Sequence, residues 1–132
     1  MLPPLPDIIV PTTDKHRLTA AADEAFRERL PIAPFLQAEL RRATFCKPGE
    51  LPTGVVTMGG WFRYRIDWEP ASRPSRLVYP DGYSGEEYQI PLFSRRGVAL
   101  LGLRVGDRMP FFSREREFRL ICVTGIEPCP SA

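Results

Sequence analysis

Two different periodicities divide the chain. From Leu18 onward, apolar residues recur at three- and four-residue steps (Leu18, Ala22, Ala25 with Phe26, Leu30), which puts them on one stripe of a helix with polar residues elsewhere. Pro11-Thr12-Thr13-Asp14 precedes that run and offers a hydroxyl cap followed by an acid in the first turn, so a helix is expected to begin at about Thr13. Pro31-Ile32-Ala33-Pro34 ends it, and Pro34 is placed to open a second helix whose Leu36, Leu40 and Ala43 share a face. Thr13 to about Thr44 therefore reads as a short antiparallel helical hairpin of coiled-coil type. At a rise of ~1.5 Å per residue its arms would be roughly 27 Å and roughly 16 Å long.

Lys47 to Gly54 (KPGELPTG) is rich in breakers, and beyond it the period changes to two. In Trp61 to Trp68, Phe62, Tyr64, Ile66 and Trp68 alternate with Arg63, Arg65 and Asp67, the pattern of a half-buried strand. Further strands are expected at Arg76 to Tyr79, Tyr88 to Phe93, Arg108 to Phe112 and Glu117 to Val123, the last two joined across Ser113 to Arg116. Pro80-Asp81-Gly82 and Val105-Gly106-Asp107 are turn signals, and Gly97 to Gly102 reads as a short helix closed by Gly102 in the left-handed region. The expected fold is α+β: a hairpin and linker over residues 1–53, then a small antiparallel sheet wrapped on one short helix over residues 54–132.

Composition adds little to this picture but excludes much. With 132 residues, 43% apolar and 26% charged, the chain suits one core and an appendage. Net charge is +2 without a long like-charge run, so neither a nucleic-acid tail nor a membrane arm is announced. The start of the chain lacks the pattern of a secretory signal and no window approaches a membrane span, so a cytoplasmic protein is expected. Residues 54–132 carry eleven Arg and no Lys against nine acids, a usage suited to carboxylate or phosphate contacts as well as to ordinary surface ion pairs.

Catalytic and metal signatures are incomplete. His16 is the sole histidine and has no second ligand at i+4; Cys46, Cys122 and Cys129 have no CxxC spacing; Gly97 and Gly102 do not form a phosphate loop. The carboxylate neighbours Asp23-Glu24 and Glu86-Glu87 read as solvated faces. No cofactor, metal ion or small-molecule substrate is expected. Trp61, Phe62, Tyr64, Trp68, Tyr79, Tyr83, Tyr88 and Phe93 interleave with arginines as a base-stacking platform would, but alternation favours placing them in the core, and no sequence-specific nucleic-acid binding is expected.

Four stretches in order, Val55 to Met58 (VVTM), Leu77 to Pro80 (LVYP), Ser94 to Leu103 (SRRGVALLGL) and Val105-Gly106-Asp107, resemble the C-terminal domain of the bacterial transcript-cleavage factors GreA and GreB. They resemble still more the short homologues called regulators of nucleoside diphosphate kinase (Rnk), whose layout includes a short helical hairpin. The resemblance implies an FKBP-like fold from about residue 54 and docking on RNA polymerase near its secondary channel, with the hairpin toward the channel. Gre factors carry tip acids that help hold the metal for transcript cleavage; here the tip supplies Glu28 alone between Arg27 and Arg29, which implies no cleavage stimulation. The family's docking loop commonly reads Asp-Ser-Pro, where this chain has Phe93-Ser94-Arg95 and then Arg96. Ser94, Arg95 and Arg96 with Arg27, Glu28 and Arg29 are thus the candidate partner-binding residues of a non-catalytic transcription regulator. Two alternatives stand beside it: a peptidyl-prolyl isomerase, which the FKBP-like fold can host, and an interaction module controlling nucleoside diphosphate kinase.

Overall fold

The computed structural model describes residues 5–113 and 115–127; Cys129 lies outside them. Strand β1 (Ile9–Pro11) leads through a 3-10 turn into helices α1 (Lys15–Arg27) and α2 (Ala33–Arg42), and the chain returns as β2 (Thr44–Cys46). A five-stranded sheet follows, built from β3 (Trp61–Ile66), β4 (Ser75–Val78), β5 (Gln89–Pro91), β6 (Arg108–Phe112) and β7 (Phe118–Glu127), with α3 (Arg95–Leu100) between β5 and β6.

The hairpin forms as expected, although α1 has 13 residues and so spans about 20 Å, shorter than the expected arm. Its buried face is Leu18, Ala21, Ala22 and Ala25, small side chains that let α2 approach through Ala33 and Leu36. Phe26, expected on that stripe, is exposed, and Ala21 takes its place. No side chain caps α1: Asp14 occupies the cap position with helical φ and ψ, not the extended backbone of a capping residue, and its carboxylate makes no bond to the free amides. Burial raises the Asp14 pKa above its ordinary value, opposed by the Arg17 charge.

A parallel β1–β2 pair, unheralded in the sequence, ties both ends of the hairpin together, with Ile9 opposite Thr44 and Pro11 opposite Cys46. The main sheet has order β5-β4-β3-β7-β6. It is mixed and not antiparallel as expected, because β4 and β5 run parallel; the chain between them crosses the 3-10 turn Pro80–Gly82 and re-enters the sheet in the same direction. Long β3 and β7 pair antiparallel with a bulge between Arg63 and Tyr64.

One buried cluster runs through hairpin and sheet alike, from Ile8, Val10, Leu18 and Leu36 to Phe62, Leu77, Leu100, Leu103 and Ile121. At its centre Gly97 to Leu103 are all buried. Two glycines there are required by space. A Cβ on Gly97 would collide with the Pro91 carbonyl. Gly102, at φ +76°, would place one 2.9 Å from the Ile8 Cβ, and its carbonyl accepts the Ile9 amide at 3.1 Å. The end of α3 therefore abuts the strand that opens the hairpin.

The aromatic residues divide. Phe62 and Tyr64 are in the core and Trp61, Tyr79 and Phe93 are half-buried, but Trp68, Tyr83 and Tyr88 are exposed, against the core reading. For Trp68 the cause is local: β3 ends at Ile66, Asp67 adopts φ +51°, and the alternation that would have turned Trp68 inward is broken. His16 is exposed, and Cys46 and Cys122 are half-buried free thiols. No helix among the described residues is long and apolar enough to cross a membrane.

A second tie joins the hairpin to the sheet. Arg17 on α1 donates from its Nη2 to both carboxylate oxygens of Asp81, at 2.7 and 2.9 Å, and its guanidinium lies 3.8 Å over the Tyr79 ring. The Tyr79 hydroxyl beneath it is buried without a hydrogen-bond partner, and its pKa is pushed up to about 12, first by burial and then by the Asp14 charge. The folded state therefore holds this proton where the unfolded chain loses it, so stability falls as pH rises from 10 to about 12. Tyr79→Phe removes an unsatisfied polar atom while keeping the ring under Arg17. Chemical denaturation is expected to show it unchanged or up to roughly 1 kcal/mol more stable at pH 7, with a smaller loss above pH 10; a clear destabilisation at pH 7 would refute this account.

Candidate partner-docking surface

Ser94, Arg95 and Arg96 stand at the start of α3, and each is engaged with the protein itself. The Ser94 hydroxyl accepts the Gly97 amide at 3.0 Å and donates to the Pro91 carbonyl at 2.7 Å, so it both caps the helix and fixes the preceding strand. Arg95 donates to the Ser113 carbonyl beyond β6, and the Arg96 guanidinium donates to the Tyr64 hydroxyl at 2.7 Å. Both arginines nevertheless remain exposed. Their internal bonds hold the guanidinium groups in fixed positions, so little side-chain entropy remains to be lost when a partner engages them.

The second candidate group is the hairpin turn. Arg27 ends α1, Glu28 caps it, and Arg29 takes φ +57° to reverse the chain toward Ile32. All three are exposed. One carboxylate between two guanidinium groups presents a net positive tip. Among the described residues, no group of three or more His, Cys, Asp or Glu side chains is placed to hold a metal ion.

Between α2, α3 and β6 lies an open groove of about 550 Å³, lined by Ile32, Phe35, Arg95, Val98, Phe112 and Arg116 among others. Arg95 of the first candidate group lines it, together with Ile32 and Phe35 from the start of α2 just beyond the hairpin turn; Arg27, Glu28 and Arg29 do not. Phe35 is 62% exposed, and Phe112 and Phe118 stack with centroids 4.0 Å apart at the far end. An apolar floor with arginines at its margin is the composition of a protein-binding surface.

Sequence reasoning did not find Phe35, Phe112, Phe118 or Arg116 as part of a site. Phe35 sits next to Leu36 on α2, one step off the apolar stripe, and that offset was a visible signal of an outward aromatic. Phe112 closes β6 and Phe118 opens β7, where alternation no longer specifies a face, so only the folded hairpin shows that their rings meet.

Ser94→Ala should lower stability by about 1 kcal/mol through the lost cap, and Ser94→Thr should recover most of it, both read from thermal or urea unfolding. An alanine variant as stable as the parent would mean that the hydroxyl is not anchoring α3.

The chain aligns over 102 residues with the regulator of nucleoside diphosphate kinase of Escherichia coli K12 at 39% identity, covering 77% of this chain and 75% of that protein. The protein of that description from Shigella flexneri matches to the same extent. No family model matches the chain. Among solved structures, the prokaryotic transcription elongation factor GreA/GreB from Nitrosomonas europaea superposes with a TM-score of 0.74 at 27% identity, over 92% of this chain and all of that one. A shared α+β architecture, the same order of elements and this level of identity place the chain in the family of regulators of nucleoside diphosphate kinase, related to GreA/GreB.

Proposed function

We propose that this protein is a non-catalytic regulator of transcription that binds RNA polymerase near its secondary channel and does not stimulate transcript cleavage. The observation that carries the reading is the hairpin turn, where Glu28 is flanked by Arg27 and Arg29. A divalent ion shared with a partner's site needs several oxygen ligands of negative charge; a single carboxylate between two guanidinium groups is a poor donor and repels the cation. Family membership and the likeness to a transcription elongation factor support the choice of partner.

In this reading residues 1–53 act as a hairpin and linker, and residues 54–132 as an FKBP-like base. Ser94, Arg95 and Arg96 fix the docking edge of that base, and Arg27, Glu28 and Arg29 make contact from the tip. The groove lined by Arg95 supplies the apolar part of the interface. The relatives' name favours a second reading, a direct interaction with nucleoside diphosphate kinase. An effect of the purified protein on the purified kinase without polymerase would select it.

Purified protein is expected to bind core RNA polymerase at low salt, and Arg27→Glu with Arg29→Glu to weaken binding by about three- to tenfold, less so at high salt. With a stalled elongation complex it should leave the rate of transcript cleavage unchanged. Failure to bind polymerase at low salt, or robust cleavage, would overturn the reading. Arg95 and Arg96 are poorer test positions, because their bonds to the Ser113 carbonyl and the Tyr64 hydroxyl make charge reversal a change to the fold as well.

A further inference from the structure

The outward face of the sheet, opposite the core, carries a second cavity of about 330 Å³ whose walls include Arg65, Asp67, Trp68, Arg108, Phe118 and Arg119. Strand register explains its charge. Cys122 on β7 lies opposite Arg65 on one side and Arg108 on the other, so the two arginines project from the same face with one strand between them. At the usual strand spacing their Cα atoms are about 10 Å apart, a gap that two long guanidinium arms can close around one phosphate group.

The charges here are unevenly matched. Asp67 and Glu69 both pair with Arg119, and Asp67 also accepts the Leu120 amide at 2.8 Å. That amide, with Arg119, holds the Asp67 carboxyl below its ordinary range, so it stays ionised and committed. Arg65 and Arg108 have no such partner among the described residues. The Arg65 Nε is buried without any acceptor, so no protein group among the described residues neutralises this guanidinium. Beside them Trp68 is 89% exposed, at the start of the turn that the left-handed Asp67 imposes and Arg119 pins. An indole held in solvent by a fixed turn is an unused stacking surface.

We propose that this cavity binds a nucleotide unit, its phosphate held between Arg65 and Arg108 and its base stacked on Trp68. Guanidinium pairs recognise phosphate oxygens through paired N–H donors, and an indole face accepts any base without reading its sequence. The unit can come from a free nucleotide or from a single strand. The site lies on the sheet's outward face and meets the groove between α2, α3 and β6 only at Pro110 and Phe118; nucleotide binding there does not require polymerase.

The test is Trp68 fluorescence in full-length Trp61→Phe protein, titrated with adenosine monophosphate, adenosine and a single-stranded RNA hexamer. Saturable quenching by the monophosphate, about tenfold or more weaker with adenosine and about tenfold weaker in Arg108→Gln, supports the proposal. The Arg108 side chain is exposed and makes no hydrogen bond or ion pair among the described residues, so that variant should melt with the parent. A hexamer that saturates at about a hundredfold lower concentration than the monophosphate identifies a strand as the source; similar concentrations identify a free nucleotide. The proposal fails if neither phosphorylated probe gives saturable quenching up to about 5 mM, if adenosine equals the monophosphate, or if Arg108→Gln binds as the parent does.

Discussion

The structure depends on burying the stretch from Gly97 to Leu103. Its apolar side chains cannot be covered by the sheet alone, so the N-terminal segment closes over them, and the contact is tight enough that Gly97 and Gly102 have no room for a side chain. From this follow the position of β1 against the end of α3, the closure of the hairpin by the β1–β2 pair, and the orientation of the α3 start at Ser94. Hairpin and sheet thus share one core, although the sequence changes period between them.

That arrangement leaves the molecule with surfaces of different character. Toward the hairpin, the groove between α2, α3 and β6 combines exposed phenylalanines with Arg116 and the fixed Arg95, which suits contact with a protein. On the outward face of the sheet, arginines alternate outward because Phe62, Tyr64, Ile121 and Val123 alternate inward. The Arg-only composition of residues 54–132 thus serves two ends: some guanidinium groups are tied to carboxylates or carbonyls, as Arg63 is to Glu127 and Arg95 to Ser113, while Arg65 and Arg108 are left uncommitted.

The hairpin is short, but it is not independent of the base. Arg17 reaches across to Asp81 and covers Tyr79, so the base of the hairpin is held by a charged clasp as well as by apolar packing. Arg17 and Asp81 are both largely exposed, so the pair itself contributes little stability; its effect is to fix direction. A positive tip held in one direction can occupy a partner's surface at little entropic cost.

Much of this was legible in the chain itself. The helical stripe at Leu18, Ala22 and Ala25, the period-two run from Trp61 to Ile66, the turn at Pro80 to Gly82 and the left-handed Gly102 are all local signals, set by side-chain spacing and backbone sterics. The carboxylate-poor tip is equally a matter of which residues stand in the turn. Tertiary structure alone decided that β4 and β5 run parallel, that β1 and β2 pair across the hairpin, that Trp68 and Phe26 face water, and that Arg65 and Arg108 share a cavity. Each of these brings together segments distant in sequence or turns on a single residue's backbone angle at a strand or helix end, and periodicity carries no information about either.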